Sequence, residues 1–148
     1  TAFKVLGTLP TPMSFTDLYT AMKVGTVDGE ENPIPVILSG RFGEVQKHLS
    51  LTGHVYSPAL FLASPDMFNR LSDTDKKSML EAARHGATMM RKRVNEVEAN
   101  GIEELKAQGV TVVTSVDKTR FQSALAPAYS EYAKKFGSQN IDRIRNHP

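Results

Sequence analysis

Four histidines, His48, His54, His85 and His147, are the first candidates for catalysis or metal binding, and they are scattered, with no cysteine in the chain to join them. Glu44 and His48 stand at i, i+4 and could share a helix face as metal ligands. No second histidine follows at helical spacing, so a solvated ion pair accounts for them better. Asp28-x-Glu30-x-Asn32 imitates the alternating oxygen ligands of a calcium loop. Pro33 stands where that loop needs glycine, and Ser39 where it needs a bidentate glutamate, so calcium is not expected. Glu30 and Glu31 are neighbours, which on an extended backbone point to opposite sides and cannot work as a carboxylate pair. The GxSxG elbow, the phosphate loop and GxGxxG are all missing. No active site is legible, and the chain is expected to be no enzyme and to use neither cofactor nor metal.

Binding is better provided for. Asn32 offers two donors and an acceptor, and the proline after it keeps its backbone extended. Taken alone, Asn32 reads as the cap of the helix that Pro33 opens. The functional alternative is that this helix mouth helps to hold an anion. Phe15, just inside a capped helix, reads as a core or staple residue, or else as a ring stacked on a flat ligand. His54, among small and polar residues, reads as a satisfied structural histidine. Arg84, His85, Arg91, Lys92 and Arg93 crowd one stretch, but Glu81, Glu96 and Glu98 flank them and no aromatic residue interleaves. That is a solvated helix face of mixed charge, and no nucleic-acid partner is expected.

The elements that must carry these residues follow from proline, glycine and capping signals. Eighteen basic and sixteen acidic residues give a net charge of only +2, too little to argue for a nucleic-acid or membrane surface. At 148 residues the chain suits one domain. No apolar run reaches the ~20 residues of a membrane helix, and the absence of cysteine excludes disulfides and thiolate chemistry. Thr1 to Gly7 reads as the last turns of a helix with no start, which suggests a piece of a longer protein. Ser14-Phe15-Thr16-Asp17 reads as a capping box for a helix ending at Gly25. Thr26 to Asp28 is a short strand candidate, and a helix follows Pro33 to about Leu38. From Leu49 to Ser64 near-alternation predicts two strands, or one bent edge strand interrupted by Pro58. A helical turn follows Pro65. Ser72 to Asp75 then caps the longest helix, expected to reach Asn100 and stop at Gly101. A short helix at 102–108, a buried strand at 110–114, and a helix from Asp117 kinked at Pro127 complete an α/β pattern. That last helix is expected to turn Phe121, Ala124, Leu125, Ala128, Tyr132 and Phe136 inward, and a short helix over 140–145 follows it.

Several runs together form a known signature: Pro10-Thr11-Pro12-Met13-Ser14-Phe15, Leu18-Tyr19-Thr20-Ala21-Met22, Val27-Asp28-Gly29-Glu30-Glu31-Asn32-Pro33, and Phe42 through Tyr56, FGEVQKHLSLTGHVY. The chain resembles the solute receptors of tripartite ATP-independent periplasmic (TRAP) transporters, the DctP family. The resemblance implies an α/β fold like that of type II periplasmic solute-binding proteins, two-lobed in the whole receptor, with this chain as its C-terminal half. Residues 1–57 and 99–148 would belong to the second lobe, and 58–98 to the first-lobe return and a long bridging helix. It also implies a periplasmic protein that binds an organic acid, a dicarboxylate or a sugar acid, and delivers it to membrane permease subunits. Carried over by motif, Asn32 matches the amide that hydrogen-bonds the substrate carboxylate, and Phe15 the aromatic that packs on the substrate. Glu31 and His54 match positions in the hydrogen-bond network behind the carboxylate. The carboxylate-pairing arginine lies upstream of Thr1 in the missing N-terminal half, and neither Arg41 nor Arg70 matches it. Where the family often has Gln, this chain has Glu30, a departure expected to alter only surface charge. The rival readings are a sensor domain and a purely structural α/β domain.

Overall fold

Ser72 starts the dominant element with a reciprocal cap. The Asp75 N–H donates to Ser72 Oγ at 3.1 Å, and the Ser72 hydroxyl donates to Asp75 Oδ2 at 2.7 Å. The helix it opens, α5, runs for 35 residues, Asp73–Ala107. The expected stop at Gly101 does not occur. Gly101 is buried in mid-helix, and the left-handed turn falls eight residues later at Gly109, with φ of +83°. The reason lies across the interface. A Cβ on Gly101 would come within 2.7 Å of both Ile34 Cγ2 and Leu38 Cδ1 of helix α3 (Ile34–Ser39), so glycine is needed there for close approach.

This computed structural model describes residues 1–147, and they fall into two units, residues 1–18 with 114–147, and residues 19–113. The larger unit holds α3, helix α4 (Pro65–Asn69), α5 and a two-stranded parallel sheet. Strands β1 (His48–Ser50) and β2 (Thr111–Val113) pair with His48 opposite Thr111 and Ser50 opposite Val113. The long connection between them contains α5, as parallel pairing requires. Met22, Ile37, Phe42, Leu105 and Val110 are its buried apolar residues. Phe42 opens a 3-10 turn (Phe42–Glu44) and is 1% exposed, and its ring lies so close to Gly40 that a Cβ there would meet it at 2.6 Å.

The β reading of residues 49–64 shrinks to the end of β1. After Ser50, Leu51 N–H still reaches the Val113 carbonyl at 3.0 Å, and Thr52 N–H then turns back onto Ser50 O at 2.9 Å. An i to i−2 bond of this kind ends the ladder. Among the described residues no strand pairs with 52–64, and alternation alone cannot make a strand without a partner. Strand β2 is also less covered than expected: Val110 before it is buried, Val112 is half-buried, and Thr111 and Val113 are exposed.

The smaller unit carries helices α1 (Ala2–Val5), α6 (Lys118–Ala124), α7 (Ala126–Phe136) and α8 (Ser138–Arg145). Asp117 Oδ1 caps α6 by accepting from Arg120 N–H at 2.9 Å. The expected kinked helix is two helices broken at Leu125. Pro127 would lose a backbone bond and clash with the preceding turn inside one helix, whereas in the first turn of α7 it costs nothing. Ala128 is buried as expected, but Ala124, Phe121 and Phe136 are exposed. Helix α2 (Phe15–Lys23) begins in this unit and ends in the larger one. No helix among the described residues is long and apolar enough to cross a membrane.

Two glycines of α5 should answer substitution with opposite signs. At Gly86 the nearest atom to an added Cβ is Phe61 Cζ at 3.9 Å, ordinary contact. Gly86→Ala should therefore stabilise by about 0.5–1 kcal/mol through helix propensity. Gly101→Ala meets two side chains at 2.7 Å, and overpacking of about 1–3 kcal/mol should outweigh the same gain. Urea unfolding of the two variants checks this, and equal stabilisation by both would show that α3 does not rest on Gly101.

Candidate functional site

The stretch from Asp28 to Pro33 is held at both ends. At its start, Thr26 N–H and Val27 N–H both turn back to the Ala21 carbonyl, at 2.8 and 3.4 Å, and close α2. Those donors are thereby spent, and residues 26–28 form bends rather than the expected strand. At its end Pro33 is the N-cap of α3, with φ −62° and ψ 150°, and Pro35 lies in the first turn. No side chain caps α3, so Asn32 is not the cap that its position before Pro33 suggested.

Asn32 is half-buried, and its Nδ2 donates to Glu30 Oε2 at 2.6 Å. Glu30 is half-buried too, so it is more than a surface charge. Burial pushes its carboxyl above the usual glutamate range, the Asn32 hydrogen bond pulls it down, and the Glu31 charge adds a further upward push. Glu31 faces another partner. Its Oε2 lies 3.0 Å from His54 Nε2, while His54 Nδ1 lies 2.6 Å from Thr52 Oγ1. With the proton on Nε2, the imidazole donates to Glu31 and accepts from the Thr52 hydroxyl, which makes one continuous chain. Adjacent glutamates thus point to different partners, as their spacing requires. Of the residues predicted to bind, the fold brings Glu31 to His54, and Asn32 to Glu30. Thr52 was missed, and its i, i+2 spacing to His54 next to Gly53 (φ +55°) was the available signal.

Phe15 begins α2 in the smaller unit and is 53% exposed. The expected capping box there is incomplete: Ser14 Oγ meets the Thr16 hydroxyl at 2.8 Å, and Asp17 N–H goes to the Ser14 carbonyl. Glu44 and His48 share no helix, since one ends the 3-10 turn and the other starts β1. Glu44 instead accepts from the Tyr19 hydroxyl at 2.8 Å and from Arg41 Nε at 2.7 Å. These bonds hold the Glu44 carboxyl below its usual range, and the same bond raises the Tyr19 phenol. They tie α2 to Arg41, a non-glycine residue in the left-handed region with φ of 57°.

A half-buried amide beside a hydrogen-bonded carboxylate–imidazole–hydroxyl chain offers donors and acceptors suited to holding a polar ligand. The chain matches the DctP family, described as bacterial extracellular solute-binding protein, family 7, over residues 1–135, and it belongs to that family. A solute-binding protein of Verminephrobacter eiseniae is 48% identical over 145 residues, 98% of this chain and 43% of that protein. The 2,3-diketo-L-gulonate-binding periplasmic protein YiaO of Escherichia coli is 37% identical over 97% of this chain and 44% of its own length. The crystal structure of a TRAP periplasmic solute-binding protein from Polaromonas sp. JS666, bound to D-erythronate, superposes with a TM-score of 0.88. It is 54% identical over 98% of this chain and 48% of its own. The chain therefore spans less than half the length of the relatives it matches.

The upward shift at Glu30 makes a pH prediction. A carboxyl harder to ionise in the folded state contributes stability that is full below its unfolded pKa and is lost as pH rises through the folded one. The stability of wild type relative to Glu30→Gln should therefore fall as pH rises from the usual value of 4.5 through the folded Glu30 pKa. Urea midpoints at a series of pH values measure it. A constant difference between the two proteins across that window would refute the burial account.

Proposed function

We propose that this chain is the C-terminal part of a periplasmic TRAP-transporter receptor that binds a sugar acid and delivers it to membrane permease subunits, with no chemistry of its own. What supports it most is the 54% identity to a receptor holding D-erythronate, with a TM-score of 0.88 over 98% of this chain. YiaO, named for 2,3-diketo-L-gulonate, points to the same ligand class and to the periplasm. In this reading Asn32 donates to the ligand carboxylate and Phe15 packs on the ligand's carbon skeleton. Glu31, His54 and Thr52 hold the turn from behind by charge-assisted hydrogen bonds. Residues 1–57 and 99–148 serve the second lobe of the whole receptor, and 58–98 return through the first. The N-terminal half, with its carboxylate-pairing arginine, covers the apolar surface exposed here. Phe61 and Leu62 are 77% and 84% exposed, and Met79, Leu80, Met89 and Met90 of α5 are exposed as well.

Two measurements test this. The isolated chain should self-associate through that surface, or bind a separately made N-terminal half. A monomeric sedimentation profile unchanged by adding that half would count against the assignment. In a full-length receptor containing this segment, thermal unfolding should shift with one sugar acid and not with its amide. A ligand at 100 times its dissociation constant adds about 2.7 kcal/mol. Asn32→Ser should lose at least tenfold in affinity, with a stability loss confined to its bond to Glu30, because Asn32 caps nothing. No shift with any acid, or full affinity in Asn32→Ser, would remove the carboxylate reading.

A further inference from the structure

We infer that Glu30 is a positioning residue for ligand binding, and that it fixes which end of the Asn32 amide a ligand meets. The inference rests on the proposed role of Asn32. A primary amide is nearly symmetric in shape and opposite in function at its two ends: the nitrogen donates twice, and the oxygen only accepts. Turned through 180°, Asn32 would present Oδ1 to an incoming carboxylate, and two acceptors facing each other repel. Something must decide between the two orientations, and the cap does not, since α3 takes no bond from Asn32. Glu30 decides. Its ionised carboxylate is an acceptor only, and at 2.6 Å it holds the Nδ2 end. One hydrogen of Nδ2 is committed to Glu30. The second, set about 120° from the first by the planar amide, is left for the ligand.

The neighbouring glutamate cannot take this role. Glu31 is engaged with His54 at 3.0 Å. Glutamine at position 30 would hold Asn32 less decisively, because its own amide can accept from Nδ2 or donate to Oδ1. Alanine would leave the orientation to solvent. The expected ranking is therefore Glu30 tightest, Gln close behind and Ala weakest, although a simple charge argument predicts that removing an anion near a carboxylate site should tighten binding.

The experiment is done in a full-length receptor carrying this segment, with D-erythronate and D-glucuronate as probes and two readouts. First, the Asn32 side-chain amide is identified by NMR as the NH2 pair missing from Asn32→Ser, and its two proton shifts are followed without ligand. The Nδ2 proton bonded to Glu30 should lie downfield of a solvated amide proton in wild type and Glu30→Gln, and move upfield to the solvated position in Glu30→Ala. This readout needs no ligand, and a merely structural loss of stability would not move it selectively. Second, calorimetric affinity should fall about tenfold in Glu30→Ala and recover to within about threefold of wild type in Glu30→Gln. Unchanged amide shifts in Glu30→Ala would overturn the inference whatever binds. Altered shifts with undiminished affinity in Glu30→Ala, while Asn32→Ser loses affinity, would overturn it and leave the role of Asn32 standing. Undiminished affinity in Asn32→Ser would instead overturn the reading on which it rests.

Discussion

The close approach of α3 to α5 at Gly101 is the constraint on which the candidate site depends. Asn32 lies two residues before the first helical residue of α3, so wherever α3 settles, the amide follows. That helix has six residues, too few to be stable alone, and its place comes from packing. Ile34 and Leu38, one turn apart on its face, straddle Gly101 of α5, where a side chain would collide with both. The notch gives more than contact. A methyl's worth of extra separation would displace the Pro33 cap and the turn before it, and a hydrogen bond of 2.6 Å between Glu30 and Asn32 tolerates little displacement.

A second set of close contacts fixes the other flank. The 3-10 turn at Phe42–Glu44 follows α3 directly, and a Cβ on Gly43 would meet Gln108 Oε1 at 2.6 Å and Leu105 Cδ2 at 3.0 Å. Lys47 Nζ donates to the Gly43 carbonyl at 2.9 Å, just before β1. The β1–β2 pair then sets where the chain leaves the sheet, and Thr52 and His54 follow within four residues of Ser50. Glu31 and His54 are 23 residues apart in sequence and meet because the packing of α3 and the register of β1 fix one end each.

Local chemistry made much of this legible in the sequence. Ser72 and Asp117 cap helices because their side chains can satisfy first-turn N–H groups, and Pro33 and Pro35 open α3 because proline fits a first turn. What stayed hidden was whatever tertiary packing overruled. Gly101 looks like a helix stop in one dimension, and only the facing Ile34 and Leu38 show that it is a notch. Residues 52–64 alternate like a strand and have no ladder partner among the described residues. Asn32 before Pro33 looks like a cap, and Glu30, two residues away, competes for it. The family motifs marked Asn32, Glu31 and His54 without saying which touches which, and the position of Glu30 in the turn gave no hint that it is half-buried.

Electrostatics then limit what the turn can do unaided. Asp28, Glu30 and Glu31 place three carboxyls within four residues, and an amide donor is neutral. In the proposed reading a ligand carboxylate at Asn32 would gain a directional hydrogen bond of about 1.5–3 kcal/mol and would approach like charge. A single neutral donor gives direction but little affinity for an anion, so the proposed reading needs a cation from outside this turn. The arginine that the family resemblance places upstream of Thr1 would supply it, and a bidentate guanidinium is the group best matched to a carboxylate. The division has a physical advantage. If one segment supplies the charge and the other the orientation, neither binds the acid well by itself. Affinity then appears only when the two close on the same carboxylate, which couples binding to closure.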